Sequence, residues 1–458
     1  MDADAEHESA LADVSAPESV PQHDGGGQLL PRTLLRFLAG DRQAILDIAD
    51  SPRALWLGAL LVLSAGLARE YDGEDLLAEP WHLLIPFGAS LVTAGLLYLL
   101  VRGFGLRNGA TPEVFRKGFR TFLSLYWMTA PLAWLYAIPF ERWASPGDAM
   151  RLNLAMLGIV ATWRVVLIIR VIVVAYGFRP ALVASSLVLL FADAVMLAVV
   201  QTMPVPVLRI MGGVRLDESE SVLLGTAFLL TIVGFLSGPV LLLIVLVAVC
   251  RQRDWLPVEI RKPLQIDRAT WFVAVASILI WIPILPLTQP EQALRRQVEH
   301  DLRQNRIRHA LLLMSRHGAE EFPPHWQPPP HISFERPTPD LTLVINELLE
   351  FPDDEVSSWV RDLYMRKLRD WLPDVFSYYG HPTPEKVETT VALLERLPVA
   401  EWYPGDDAYR ADDIRGGLKR LASDDRGDIS TELKDRMRKL IEAIEVATAE
   451  TADAGEDA

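Results

Sequence analysis

The stretch that decides the fold is residues 222–250, which read VLLGTAFLLTIVGFLSGPVLLLIVLVAVC. These 29 residues contain no charged side chain, and a membrane crossing needs about 20 predominantly apolar residues. Six further apolar stretches lie elsewhere in the chain. The sequence therefore predicts an all-α protein with a polytopic transmembrane bundle of about seven spans, at residues 54–68, 83–101, 121–140, 152–175, 181–200, 222–250 and 270–288.

The composition agrees with a membrane protein and excludes several other classes. Of the 458 residues, 50% are hydrophobic, and the mean hydropathy is +0.20, which is unusual for a soluble chain of this length. The net charge of −15 is concentrated at the two ends. Acidic ends argue against a nucleic-acid partner, because such binding needs concentrated positive charge. Cys250 is the only cysteine, so an intramolecular disulfide and a cysteine-based metal site are both excluded.

The segments outside the spans predict one soluble domain and two unstructured ends. A mainly helical soluble domain is expected after the last span, and its proline-rich part should be extended and stiff. The first residues are acidic and too polar to bury a core, so they should be disordered. The predicted organisation is a disordered tail at 1–27, an amphipathic helix at 28–50, the bundle at 51–288, the soluble domain at 289–449 with its proline-rich segment 323–330, and a disordered tail at 450–458.

The amphipathic helix at 28–50 has two interpretations. Leu30, Leu34, Leu38 and Ile45 form an apolar stripe at helical spacing, and arginines occupy the polar side. This pattern suits a helix that lies on the membrane surface. It equally suits a helix packed on the protein's own loops, and the sequence does not separate the two.

Basic residues between the spans predict the orientation. Loops 102–120 and 251–269 contain five Lys or Arg each, whereas loop 69–82 has a single arginine, Arg69, among five acids. Because basic loops stay in the cytoplasm, we expect the N-terminus inside and the soluble domain outside, as in a bacterial inner membrane. The lipid bilayer is thus one expected partner.

Two charged residues within the spans form the first candidate site. Arg164 lies in the fourth span and Asp193 in the fifth, each about 14.5 residues from the turn between them, so they reach a similar depth. An unpaired charge there costs at least about 2.5–3.5 kcal/mol. We therefore expect an Arg164–Asp193 ion pair, which is either a structural strut or a gate, proton relay or ligand counter-ion.

The sixth span carries the second candidate site. Gly234 and Gly238 make a small-residue face that permits close approach of another helix, and Pro239 predicts a kink. Ordinary helix packing explains these residues, and so does the broken helix of a transporter.

Motifs of enzymes and cofactor sites are absent from the sequence. Neither HExxH nor GxxxxGK[ST] occurs, and the histidines of the tail match no known metal-ligand spacing. We therefore expect no enzymatic activity, no cofactor and no metal. The leading hypothesis is a membrane anchor or scaffold that presents its helical domain for protein–protein interaction or envelope assembly. The alternative is a transporter or channel component that uses Arg164, Asp193 and a kinked sixth span.

Overall fold

The computed structural model describes ten ranges of the chain: 28–105, 112–176, 181–202, 218–250, 264–330, 339–352, 354–376, 383–403, 408–423 and 429–456. The predicted disordered tail 1–27 lies outside them. Within these ranges the protein is mainly helical, and a two-stranded parallel sheet joins β1, Gln28–Leu29, to β2, Gln265–Ile266.

The first part of the chain contains the long apolar helices. In order they are α1 Pro31–Leu38, α2 Arg42–Ala49, α3 Ala54–Glu70, α4 Leu84–Gly105, α5 Pro112–Trp127, α6 Pro146–Ala175, α7 Ala181–Thr202, α8 Glu218–Cys250 and α9 Arg268–Leu279, with 3-10 helices at Pro80–Leu83, Ala130–Ala137 and Phe140–Arg142.

Five segments of the described chain are long and apolar enough to cross a membrane, which makes this a membrane-embedded helical protein. They are Pro80–Gly103, Gly118–Arg142, Pro146–Ala175, Ala181–Val200 and Ser221–Ala248. They correspond to the second to sixth predicted spans. The sixth predicted span is one continuous helix through Pro239, so the broken helix considered from the sequence does not occur.

The first and seventh predicted spans differ from long continuous helices. Helix α3 has 17 residues and reaches spanning length only together with α2, from which it is bent by 109°. The segment 270–288 is divided between α9, which ends at Leu279, and the next helix, which begins at Leu285. The prolines Pro283 and Pro286 account for this division, because a proline lacks the N–H that a helix interior requires.

These two short segments run side by side in the same direction. Ser64 Oγ of α3 donates to Ser277 O of α9 at 2.7 Å. At the far end the rings of Tyr71 and Trp281 lie 5.1 Å apart. Helix α3 is packed largely against protein, with ten buried residues.

The amphipathic segment 28–50 packs on the protein itself. Leu34, Phe37, Ile45 and Ile48 are all buried and join a core with α3, α5 and α6. Two short helices replace the single predicted one, because Gly40 adopts a positive φ of 76° that ends α1. The second of the two sequence interpretations therefore describes this segment.

The remaining helices surround a separate apolar core. They are α10 Leu285–Arg303, α11 Ile307–Ser315, α12 Leu341–Leu349, α13 Ser358–Phe376, α14 Pro384–Leu394, α15 Val399–Trp402, α16 Ala408–Ser423 and α17 Thr431–Glu456, with a 3-10 helix at Ala319–Glu321. Their buried residues, from Val298 to Ile444, form one contiguous cluster. We call these helices the C-terminal cluster. Helix α17 extends to Glu456, into the segment 450–458 for which disorder was expected.

The proline-rich segment packs against α13 instead of projecting as a free spacer. Tyr364 Oη donates to Pro329 O at 2.9 Å, and Lys367 Nζ donates to Pro328 O and, at 3.3 Å, to Pro330 O. All three prolines are buried. Prolines supply carbonyl acceptors without needing partners for N–H groups, so they suit a buried extended segment.

Candidate functional site

Arg164 lies in α6 and binds groups of the third predicted span. Its Nε donates to Thr129 Oγ1 at 2.9 Å, and its guanidinium carbon lies 4.8 Å from the centre of the Tyr126 ring. Tyr126 Oη is in turn 3.1 Å from Thr93 Oγ1. The aromatic face and the hydroxyl groups thus replace the carboxylate that the sequence suggested as partner.

Asp193 lies in α7 and faces α8. Its Oδ2 accepts a hydrogen bond of 2.8 Å from Ser237 Oγ. Within the described residues, no ion pair joins Asp193 to Arg164, so the structure does not bring the predicted pair together. The two side chains bind different helical segments: Arg164 binds Thr129, and Asp193 binds Ser237 of α8.

The glycine face of α8 is the surface against which Asp193 packs. A Cβ added at Gly234 would lie 3.0 Å from Leu197 Cδ2 and 3.1 Å from Asp193 Oδ1. One at Gly238 would lie 3.5 Å from Asp193 Oδ2. The absence of side chains at these two positions therefore makes room for a carboxylate between α7 and α8. Sequence analysis identified both halves of this contact but did not pair them.

A second polar region lies where the loop after α3 meets the start of α10. We call loop residues 71–79 and helix residues 288–296 together the junction. Thr288 Oγ1 donates to Tyr71 O at 2.7 Å. Gln289 Nε2 donates to the carbonyls of Tyr71 and Glu74, each at 3.0 Å, and Gln289 Oε1 accepts from Leu77 N at 3.2 Å. One glutamine side chain thereby satisfies three backbone groups of the loop.

Ion pairs reinforce the junction. Arg296 Nε donates to Asp75 Oδ2 at 2.7 Å, and the side chain of Asp75 is only 3% exposed. Arg295 Nη2 donates to Glu74 Oε2 at 2.8 Å. On the neighbouring loop, Arg142 makes a bidentate contact with Glu291, its shortest distance being 2.9 Å. Charge-assisted hydrogen bonds of this kind are stronger than neutral ones and fix geometry.

Burial also changes the acidity of this loop. Burial, together with the nearby charge of Glu141, raises the pKa of Asp72 to about 6. The side-chain amide of Gln292 donates to the Asp72 carbonyl, which ties the same residue to α10. The junction thus packs an acidic loop tightly under the C-terminal cluster.

Sequence analysis missed the junction, although part of its signal was visible. The five acids of loop 69–82 were visible in the sequence as a charge pattern. Arg295 and Arg296, which bind two of these acids, are adjacent in the sequence of α10. Nothing in the sequence indicated that residues more than 200 positions apart would meet. Comparisons of the chain with protein-family models, with curated proteins and with solved structures gave no significant match.

Proposed function

We propose that the protein is a non-enzymatic membrane scaffold that holds its C-terminal cluster in a fixed position outside the cytoplasm for contact with another protein. The junction is the observation that carries this proposal. Helix α10 continues from the apolar segment into the cluster without a linker, and buried hydrogen bonds hold it to the loop after α3. A flexible tether would need none of these contacts, whereas a rigid mount depends on them.

The proposed topology has seven crossings, of which the first and the last are short. Segment 268–288 runs parallel to α3, and the contacts of Ser277 with Ser64 and of Trp281 with Tyr71 support a crossing in the same direction for both. An N-terminus inside then puts the C-terminal cluster outside. The charge distribution of the loops supports this orientation in a bacterial inner membrane.

Cysteine labelling tests the topology. We would remove Cys250 and introduce one cysteine at a time, at Glu442 on α17 and at Arg53 before α3, both of which are exposed. An impermeant thiol reagent applied to intact cells should label E442C and leave R53C unlabelled until lysis. Labelling of R53C alone would invert the orientation. Equal behaviour of the two positions would mean an even number of crossings between them.

Site-specific photo-crosslinking tests the scaffold function. Leu343 is 50% exposed on α12 of the C-terminal cluster, and Phe228 is 62% exposed on the apolar helix α8. A photoreactive residue at Leu343 should give a discrete protein adduct in cells, whereas one at Phe228 should give lipid adducts. Loss of the Leu343 adduct on breaking the junction with R296Q, while the protein remains in the membrane, would link rigid mounting to partner contact. No protein adduct from any exposed position of the cluster would overturn the proposal.

A transporter or channel component is the second candidate, and Asp193 favours it. A carboxylate within an apolar helix is costly, and such residues often mark ion pathways. Ser237 and the two glycines give Asp193 a polar niche beside Pro239. Reconstituted vesicles with a pH-sensitive or cation-sensitive dye would test it. Flux that is abolished by D193N, while S237A keeps the fold, would favour transport over the scaffold.

A further inference from the structure

Three side chains at the outer edge of the junction could hold a metal ion together. Glu74 belongs to the loop after α3, Glu79 immediately precedes the 3-10 helix Pro80–Leu83, and His82 lies within that helix. One ligand atom from each of the three lies within 4.8 Å of the other two. Their side chains are 24–31% exposed, so an ion in solution can reach them.

The distances suit a shared ion better than direct contact. His82 Nε2 is 3.5 Å from Glu79 Oε2 and 4.0 Å from Glu74 Oε2. No hydrogen bond in the described chain joins His82 to either carboxylate. Ligands about 2.1 Å from a tetrahedral zinc ion lie about 3.4 Å from each other. The imidazole and the two carboxylates therefore stand near the separation at which one ion binds all three.

The loop that carries these ligands is held in place by buried contacts. Glu79 N donates to Asp75 O at 2.8 Å, and Asp75 Oδ1 accepts from Ala78 N at 3.2 Å. Gln289 binds the Glu74 carbonyl at 3.0 Å. The His82 ring stacks with Trp81 at 6.1 Å between centroids. Such supporting contacts orient the ligands before an ion arrives.

The electrostatic surroundings also favour a cation. Glu70 lies close enough to Glu74 and His82 for its charge to interact with both. Arg295 Nη2 donates to Glu74 Oε2 and neutralises the charge of this carboxylate. Glu74 Oε2 nevertheless has a second lone pair, and the other carboxylate oxygen of Glu74 is also available to an ion. One acceptor of the junction, Gln292 Oε1, is buried without a hydrogen-bond partner in the described chain, and Gln292 is only 2% exposed.

We propose that Glu74, Glu79 and His82 form a zinc-binding site at the outer edge of the junction. One imidazole with two carboxylates and an open position is a ligand set that suits Zn²⁺. Ca²⁺ would need six to eight oxygen ligands, and Mg²⁺ prefers oxygen over imidazole. The site links the loop after α3 to the start of α4, so a bound ion would tie these elements together. The proposal does not depend on the scaffold function.

Zinc titration of the purified full chain in detergent micelles tests the proposal. Isothermal calorimetry with Zn²⁺ alone should give one site per chain. H82A and E79Q should each weaken binding at least tenfold. H317A is the matched control, because His317 Nδ1 and Glu321 Oε2, 3.0 Å apart, form a histidine–carboxylate pair that has no third ligand among the residues that the structure describes. R295Q should bind at least as tightly as the unsubstituted chain, since it frees Glu74.

Co²⁺ substitution gives a second readout that does not depend on affinity. The visible spectrum of bound Co²⁺ should show a nitrogen- and oxygen-ligated site that disappears in H82A and persists in H317A. H82N should behave as H82A if the imidazole is a ligand, and metal-free melting temperatures of both variants report whether they fold. Absence of one-to-one zinc binding, or binding that folded H82A and H82N retain, would overturn the proposal.

Discussion

Arg296 Nε donates to Asp75 Oδ2 at 2.7 Å, and this contact joins the helix leading into the C-terminal cluster to the loop after α3. The carboxylate is 3% exposed while the guanidinium is 34% exposed. The anion therefore depends on its partner more than the cation does.

Removing the cation of this pair should destabilise the protein strongly. R296Q leaves the Asp75 carboxylate buried without a counter-charge, and we expect a loss of about 3–5 kcal/mol in the free energy of unfolding. Denaturant titration of the detergent-solubilised protein measures it. R438Q is the control, because Arg438 and Asp435 form an ion pair that is 57% exposed on both sides, and exposed pairs contribute only about 0–1 kcal/mol. Equal losses from R296Q and R438Q would contradict the importance of the junction.

Substitutions at Arg164 and Asp193 should act independently. Since each side chain binds a different partner, the effects of R164M and D193N on unfolding should add within about 0.5 kcal/mol. A double-mutant cycle measures the coupling energy. A coupling above about 1 kcal/mol would instead indicate the ion pair that the sequence suggested.

Alanine at the glycines of α8 should have graded effects. G234A brings a Cβ to 3.0 Å from Leu197 and should destabilise the α7–α8 contact, whereas G238A meets its nearest neighbour at 3.5 Å and should be tolerated. A Cβ at Gly225 in the same helix meets nothing within 4 Å, so G225A is the matched control. There the better helix propensity of alanine should leave stability unchanged or raise it by up to about 1 kcal/mol. Melting temperatures in the order G225A, G238A, G234A from highest to lowest would agree with this packing.

The buried amine of Lys367 should make stability depend on pH. Burial lowers its pKa to about 8 from the ordinary value of 10.5. The unfolded chain therefore binds more protons than the folded chain above pH 8, and the free energy of unfolding rises with pH there. From pH 7 to 9.5 the rise should be roughly 2 kcal/mol.

Unfolding measured at several pH values tests this dependence against K367M, in which the rise should disappear. Above pH 10 the titration of tyrosines in the unfolded chain acts in the opposite direction, because burial raises the pKa of Tyr364. The measurement should therefore stop at pH 9.5. A K367M protein that keeps the full rise would assign it to another group.

The sequence predicted those elements whose pattern is local. Five of the seven predicted apolar stretches are long apolar segments near the predicted positions. Hydrophobic runs and helix caps are properties of neighbouring residues, so they can be read without knowing the fold.

The contacts between distant segments could not be predicted in the same way. Depth matching placed Arg164 and Asp193 at the same level but gave no information on the rotation of either helix. Thr129 and Ser237, their actual partners, carried no signal as ordinary hydroxyl residues in apolar helices. The three candidate zinc ligands were visible as an acidic loop next to His82, but their convergence depends on how the loop folds back on itself.

The side-by-side packing of α3 and α9 has a consequence for biosynthesis. About 200 residues separate the two helices in the sequence. Strand β1 likewise pairs with a strand, β2, that is synthesised much later. Helix α3 therefore leaves the ribosome long before α9, which packs against it, has been synthesised. Until residue 279 has left the ribosome, the surface of α3 that later contacts α9 must be covered by the insertion machinery or by helices made before α9, such as α5. The packing of α3 is thus completed only when α9, near the end of the apolar part of the chain, has been synthesised.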